Sequence, residues 1–324
     1  MDKSHTNNKQ TRVIMKDNKI LATAVAAIFG ASVATADISL SDNLTLSGFV
    51  DASYSSTDNG NRTESIGLDQ VEVDFAFSGE SVSAEVHLHN LDGDTIDLEQ
   101  AFASYDLGNG VIVSGGKFLN LLGFESDEPT GRYQSSYAYS FDSAAATAGE
   151  TGRRYAEGIR ASFGVEDVAI AVSGYNGLYS NAAADMDLAY DAQVVFSGVE
   201  NLTVALGYAE DDNSASIAEA VNVWASYESG QVMVAGEYND VTDGAGNEGD
   251  SYLLLANYQI NDNASISLRY SEQDLDGTAN DVEKFSIAPI YNFTDNLSAF
   301  VEYSTGEVNG TDNDSFSIET VFTF

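Results

Sequence analysis

The 324-residue chain contains no cysteine, which excludes a disulfide scaffold and thiol chemistry. Basic residues are scarce as well: 13 Lys and Arg stand against 51 Asp and Glu. A chain this acidic repels nucleic acid and anionic membrane surfaces, and it suits a salty medium that screens its charge. Only His87 and His89 represent histidine beyond residue 36, which is thin material for a hydrolase needing a serine–histidine pair with an orienting group. No Gly-rich phosphate loop opens a helix, and no twelve-residue EF-hand loop occurs. Charges and glycines recur too often beyond residue 36 for any membrane-spanning helix. No cofactor motif is visible, so no cofactor is expected.

What is present begins with an export leader. Residues 15–36 read MKDNKILATAVAAIFGASVATA. Lys16 and Lys19 supply a basic start, and Ile20 to Phe29 is an apolar stretch too short to cross a bilayer. Ala34 and Ala36 form an A-x-A cleavage signal ahead of Asp37. The expected organisation is therefore a signal peptide over 1–36, with Met15 a candidate start, and one domain over 37–324. Cleavage would leave 8 basic and 49 acidic residues, a net charge of −41.

Beyond the leader, runs of roughly ten residues alternate apolar and polar, the period that sorts side chains onto opposite faces of a strand. Val71, Val73, Phe75 and Phe77 oppose Gln70, Glu72 and Asp74; Val82, Ala84, Val86 and Leu88 oppose Ser83, Glu85, His87 and His89. Sixteen such segments are expected, near 43–55, 67–78, 81–89, 96–107, 110–118, 153–164, 167–175, 187–197, 200–209, 217–228, 231–239, 250–260, 263–272, 281–292, 295–305 and 314–324. Two fit poorly. The fourth mixes polar and apolar residues on both faces, and Glu157 in the sixth shares parity with Tyr155, Ile159 and Phe163.

The connections alternate between short turns, such as Gly79-Glu80, Gly108-Asn109, Gly198-Val199 and Ser229-Gly230, and longer polar loops, such as Ser56–Ile66 and Asp240–Gly249. Aromatic residues lie on the apolar face near many strand ends: Tyr54, Phe77, Tyr208, Tyr227, Tyr238, Tyr258, Tyr270, Tyr291 and Tyr303. A soluble sandwich does not require such girdles. A transmembrane antiparallel β-barrel in the outer membrane of a Gram-negative bacterium does, with short turns on the periplasmic side. The chain ends on an amphipathic strand whose last residue is Phe324.

A barrel of this size is too wide for side chains to fill, so it is expected to hold a water-filled channel for passive diffusion of small hydrophilic solutes and ions. By parity, the lumen wall includes Asp51, Glu72, Asp74, Glu85, His87, His89, Lys117, Arg154, Arg160, Asp187, Asp191, Glu237, Arg269, Lys284, Glu302 and Glu319. The excess of carboxylates predicts a preference for cations. One loop, about Leu119 to Glu150, is far longer than a hairpin needs and carries Leu121, Leu122, Phe124, Tyr133, Tyr137, Tyr139 and Phe141. Such apolar residues need cover, and folding this third external loop into the lumen would provide it. Loop acids Glu125, Asp127 and Glu128, together with Lys117, Arg132, Arg154 and Arg160, would then form the pore constriction, either as a transverse field or as ion pairs pinning the loop.

The GGKF stretch ending at Phe118, the following LLGFES and the Tyr-rich SSYAYSF resemble the OmpL-like β-barrel porins of Gram-negative bacteria. The terminal aromatic strand and long third loop resemble general diffusion porins more broadly. The resemblance implies a third loop folded into the pore, with acidic loop residues facing basic wall residues. In the general-porin case it implies a homotrimer. It also implies that Phe324 serves as the assembly signal read by the barrel-insertion machinery, and that the partners are outer-membrane lipid, lipopolysaccharide, and small solutes and cations.

Other readings compete with this one. A sugar-specific channel would draw on Tyr133, Tyr137, Tyr139 and Trp224, the only tryptophan. A structural or adhesive barrel would conduct little and bind through its loops. The set Glu85-x-His87-x-His89 has strand spacing that puts possible metal ligands on one side, although polar lumen residues need no metal. Acidic pairs such as Asp211 with Asp212 have oxygen ligands for a hard cation, or are a hydrated surface.

Overall fold

A computed structural model describes residues 37–91, 95–138, 153–180, 188–275 and 281–324. Residues 1–36, which hold the expected signal peptide, lie outside it, as do Tyr139, Phe141, Glu150 and Asp187. The alternating segments form β1 (Leu44–Asp58), β2 (Arg62–Ser78), β3 (Val82–Leu91), β4 (Asp97–Gly108), β5 (Val111–Leu119), β6 (Tyr155–Val165), β7 (Val168–Tyr175) and β8 (Ala189–Val199). They continue as β9 (Leu202–Glu210), β10 (Glu219–Ser229), β11 (Val232–Thr242), β12 (Glu248–Asn261), β13 (Ala264–Leu275), β14 (Val282–Thr294), β15 (Leu297–Val308) and β16 (Asp314–Thr323). Two short pieces extend the ladders: Ile38–Ser41 pairs with β1, and Thr311–Asp312 with β15.

Every consecutive pair is antiparallel, and β16 pairs with β1 from Asp314↔Asp58 to Thr323↔Phe49. The result is a closed sixteen-stranded antiparallel barrel with no free edge. Phe324 lies just beyond β16, yet its N–H and C=O each bond to Gly48 at 3.0 Å, so the ladder reaches the last residue.

The strands run further than the alternation indicates. β1 and β2 pair out to Asp58↔Arg62, through residues that read as loop because both of their faces are polar. A ladder projecting into water keeps its hydrogen bonds without needing an apolar face. At the opposite end the tight turns fall one or two residues later than expected. Val199 pairs with Leu202, and Asn201, with φ 67°, occupies the left-handed conformation that two-residue hairpin turns require.

Buried polar and exposed apolar residues separate by face. Exposed apolar side chains include Ile66, Ile159, Leu206, Leu254 and Phe293. Aromatic residues collect at both ends of the outer face, with Phe77, Tyr105, Tyr227, Tyr258 and Tyr291 near the short turns. At the other end Tyr208 donates to Glu210 at 2.7 Å and Tyr270 to Glu272 at 2.8 Å. Among the described residues no helix is long and apolar enough to cross a membrane.

The ambiguous fourth strand is resolved by a β-bulge. His87 pairs with Gln100 but Leu88 pairs with Leu98, so Glu99 is the extra residue. Parity reverses there: Leu98 is exposed on the outer face before the bulge, and Tyr105 and Leu107 after it. Glu99 itself is buried on the inner face.

Candidate functional site

The inner face carries two kinds of surface. From β5 to β12 polar residues such as Arg160, Asp191, Asn222 and Asn239 are interleaved with an apolar cluster that buries Phe118, Tyr175, Val195, Trp224, Leu253 and Leu255. Leu121 and Leu122, from the segment after β5, are buried in that same cluster, and Phe124 and Tyr133 pack against it. Phe124 meets Trp224 at 5.5 Å between ring centres. Leu121, Leu122, Phe124 and Tyr133 thus find cover on the wall. Trp224 is only 7% exposed under that contact and offers no open face to a sugar.

Hydrogen bonds fix the segment along its length. The Leu121 N–H donates to Asp191 at 2.8 Å, and Gln193 donates to the Leu121 carbonyl at 2.6 Å. The Gly123 N–H donates to Asn222, whose amide in turn donates to Glu237 at 2.7 Å. Further on, Ser135 and Ser136 donate to Glu302. Arg269, 1% exposed, donates to the Glu125 carboxylate at 2.6 Å and also to Ser136 and the Tyr137 carbonyl. Lys284 donates to the same Tyr137 carbonyl, and Ser271 to that of Ala138. One segment therefore bonds to inner-face residues of β8 and β10 and then to those of β13, β14 and β15.

Between these anchors lie Asp127 and Glu128. The Tyr155 hydroxyl and the Gln70 amide donate to Glu128, at 3.1 and 3.3 Å. Burial, reinforced by the charge of Asp127, pushes the Glu128 carboxyl up to about 7, the Tyr155 hydrogen bond offsetting part of this. The carboxylates of Glu99, Asp127 and Glu128 approach within 4.8 Å of one another. Arg132, in the segment itself, stacks over Tyr137 at 4.6 Å and lies 3.9 Å from Glu319.

The seven residues expected at the constriction are therefore only partly gathered. Glu125 meets Arg269 rather than Arg154 or Arg160. Arg160 is buried, covers Phe118 at 4.3 Å, and donates to Ser173, Tyr175 and the Leu119 carbonyl. Arg154 adjoins Asn120 just before β6. Lys117 is a correction. It stands opposite Glu157, whereas Ser114 stands opposite the buried Arg160, so Lys117 shares the outer face with Ile159 and Phe163. Its ammonium donates to the Leu98 carbonyl at 2.7 Å. Gly115 and Gly116 leave the GGKF stretch without a side-chain alternation from which to read parity. The misfit of Glu157 was the available signal, because opposite charges favour cross-strand pairing.

The remaining wall residues that the structure describes lie on the inner face. Asp51, Glu72, Asp191, Glu237, Glu302 and Glu319 are buried, Asp74 lies within 3.2 Å of His87, and Glu85, half exposed, lies 3.3 Å from the same ring. Arg269 and Lys284 were legible as inward residues, but not as the ones that hold the loop. Asp211 also departs from the acidic-pair reading: it is 1% exposed and accepts the N–H groups of Leu178, Tyr179 and Ser180. Burial alone would raise its carboxyl, but these donors outweigh burial and hold it below the usual carboxylate range.

A closed sixteen-stranded barrel with a polar inner face and an apolar, aromatic-rimmed outer face defines the porin class of outer-membrane protein. The family of Gram-negative porins matches residues 22–311, and the chain belongs to that family. It is accordingly a protein of the outer membrane of a Gram-negative bacterium. Solved structures share the fold at low identity. The anion-selective porin from Comamonas acidovorans superposes with a TM-score of 0.66 at 14% identity, over 87% of this chain and 99% of that one. OmpF of Salmonella typhi, in complex with daunomycin, gives 0.66 at 14% identity over 89% and 100%. The outer-membrane channel DcaP of Acinetobacter baumannii gives 0.65 at 15% identity over 87% and 97%. No curated protein matches the chain.

Proposed function

We propose that this porin is an open, water-filled channel for small hydrophilic solutes and ions, narrowed by its third loop and selective for cations. The observation that carries the reading is the double anchorage of residues 120–138. The segment bonds to Asp191 and Asn222 on one part of the inner face and to Arg269, Lys284 and Glu302 on another. A chain tied at both places crosses the lumen and leaves a passage beside Asp127 and Glu128.

Carboxylates dominate that passage. Glu72, Asp74, Glu85 and Glu99 line the β2–β4 wall next to the two loop acids, while Arg269 and Lys284 are occupied in holding the loop. Uncompensated acids at the narrowest point attract cations and repel anions. Departure of Lys117 from the inner face strengthens this balance, and Arg132, Arg154 and Arg160 are the bases left to oppose it.

Residues 1–36 act in this reading as the export leader, Phe324 as the signal for the barrel-assembly machinery, and the mature barrel as a homotrimer among lipid and lipopolysaccharide. The GGKF, LLGFES and SSYAYSF stretches support a place among the OmpL-like members. The test is single-channel conductance of the refolded mature chain in a planar bilayer under a KCl gradient. Stable ohmic steps with a cation-biased reversal potential are expected; an anion-biased reversal would refute the selectivity, and silence from folded barrels would refute the open channel.

A further inference from the structure

On the β2–β4 wall, two imidazoles and a set of carboxylates face one another. His89 Nδ1 lies 2.8 Å from a Glu99 oxygen, and one oxygen each from Glu72 and Glu99 lie with it inside a 4.8 Å compass. His87 Nδ1 lies 3.2 Å from both Glu72 and Asp74, forming a second triad that shares Glu72. Among the described residues no Lys or Arg nitrogen makes an ion pair with Glu72, Asp74, Glu99, Asp127 or Glu128.

Two observations separate this cluster from a hydrated acidic surface. First, three of the cluster's polar atoms are buried without a partner. Glu99 is 3% and Glu72 1% exposed, and Glu99 Oε2, Asp74 Oδ1 and His89 Nδ1 have no hydrogen-bond partner. The His89–Glu99 approach is thus close without the alignment of an N–H···O bond. Second, the ligand atoms lie close enough to share one ion, with His87 3.2 Å from both Glu72 and Asp74 and the Glu72, His89 and Glu99 atoms within 4.8 Å of one another. Bonds of about 2.0–2.1 Å place tetrahedral neighbours roughly 3.3 Å apart. Buried carboxylates without a counter-charge are costly, and either a proton or a bound cation relieves that cost.

We infer that the inner wall holds a site for a borderline divalent transition metal, with Glu72, His89 and Glu99 as ligands and His87 with Asp74 alongside. Imidazole nitrogen combined with carboxylate oxygen suits Zn2+ or its neighbours in the transition series better than Ca2+, which takes six to eight oxygens. Asp127 and Glu128 at the edge add negative potential that draws the cation in. Both imidazoles remain partly accessible, so an ion can enter from the lumen. The bulge in β4 makes the site, because it turns Glu99 onto the face of His87 and His89.

The experiment is calorimetric titration of the folded barrel, stripped with EDTA and dialysed, with Zn2+ alone and then with Ca2+ alone at pH 7. Saturable Zn2+ binding is expected, at least tenfold tighter than Ca2+ and weakened at least tenfold in His89→Asn and in Glu99→Gln. Diethyl pyrocarbonate labelling of the wild-type protein supplies a second readout that does not depend on the folding of those variants. His87 and His89 are the only histidines of the mature chain, and Zn2+ should protect them where Ca2+ does not. Absence of Zn2+ binding, equal binding of Ca2+, or undiminished labelling under Zn2+ would each overturn the site. Binding is measured without conduction, so its failure would leave the channel reading standing, and a silent channel would leave the metal site standing.

Discussion

The walls formed by β13–β15 and by β2–β4 receive the same loop segment in opposite ways. On the first, charge is matched: Arg269 is ringed by Glu125, Ser136 and Tyr137, and Glu302 accepts from Ser135 and Ser136. On the second, Asp127 and Glu128 meet further acids, and among the described residues Tyr155 and Gln70 donate to Glu128. One wall spends its charges on holding structure, while the other keeps them unspent. Burying a matched pair fixes a chain, whereas burying like charges holds electrostatic potential available for a passing or resident cation.

The largest effect is expected where the matched wall is broken. Arg269→Ala removes the cation paired with Glu125 and the donor to the Ser136 carbonyl, leaving Lys284 alone on the Tyr137 carbonyl. A loss of about 3–5 kcal/mol of loop anchorage is expected. It should appear as a lower urea midpoint and as larger, noisier single-channel steps. Unchanged conductance with retained folding would mean that the segment does not narrow the pore.

Away from both walls, Asp211→Ala removes the acceptor for three backbone N–H groups, and a cost of about 2–3 kcal/mol is expected in urea unfolding. Conductance should change little, which separates a loop cap from a pore residue.

The unmatched wall is probed by pH. The Glu128 carboxyl, raised by burial to about 7 from 4.5, is neutral in acid and charged above neutrality. Cation bias should therefore grow as pH rises through about 7. Stability runs the other way: this group favours the fold most below its unfolded value of 4.5, and that contribution is lost as pH rises through about 7. Reversal potentials at pH 5.5 and 8.5 check the selectivity. Glu128→Gln should reduce the pH step; an undiminished step would show that Glu128 does not govern it.

The smallest effect is expected for Lys117→Gln. On the outer face opposite Glu157, its loss should leave reversal potential and conductance unchanged, with stability within about 0.5 kcal/mol. A clear shift in selectivity would return Lys117 to the lumen.

What the sequence makes legible here follows from period two. Where apolar and polar residues alternate without interruption, as in β2, β3 and β10, strand, face and partner can all be read. Reading fails where a local event breaks the count. The bulge at Glu99 reverses parity within β4 and so hides an inner-face acid, and the glycines beside Lys117 remove the alternation that would orient it. The loop is a different case. Its apolar content and acids were visible, and so was its need for cover. Which bases it meets depends on where a long segment crosses a wide barrel, and no local pattern encodes that.

Because the chain has no cysteine, the position of the segment can be measured directly. Ser135, in the loop, and Ser317, in β16, bring their hydroxyls to 2.6 Å. In the Ser135→Cys/Ser317→Cys double variant, mild oxidation of the folded barrel should close a disulfide nearly completely, and single-channel conductance should be the same before and after. A folded double variant that fails to cross-link, or whose conductance falls sharply when it does, would contradict a loop held across the lumen against that wall.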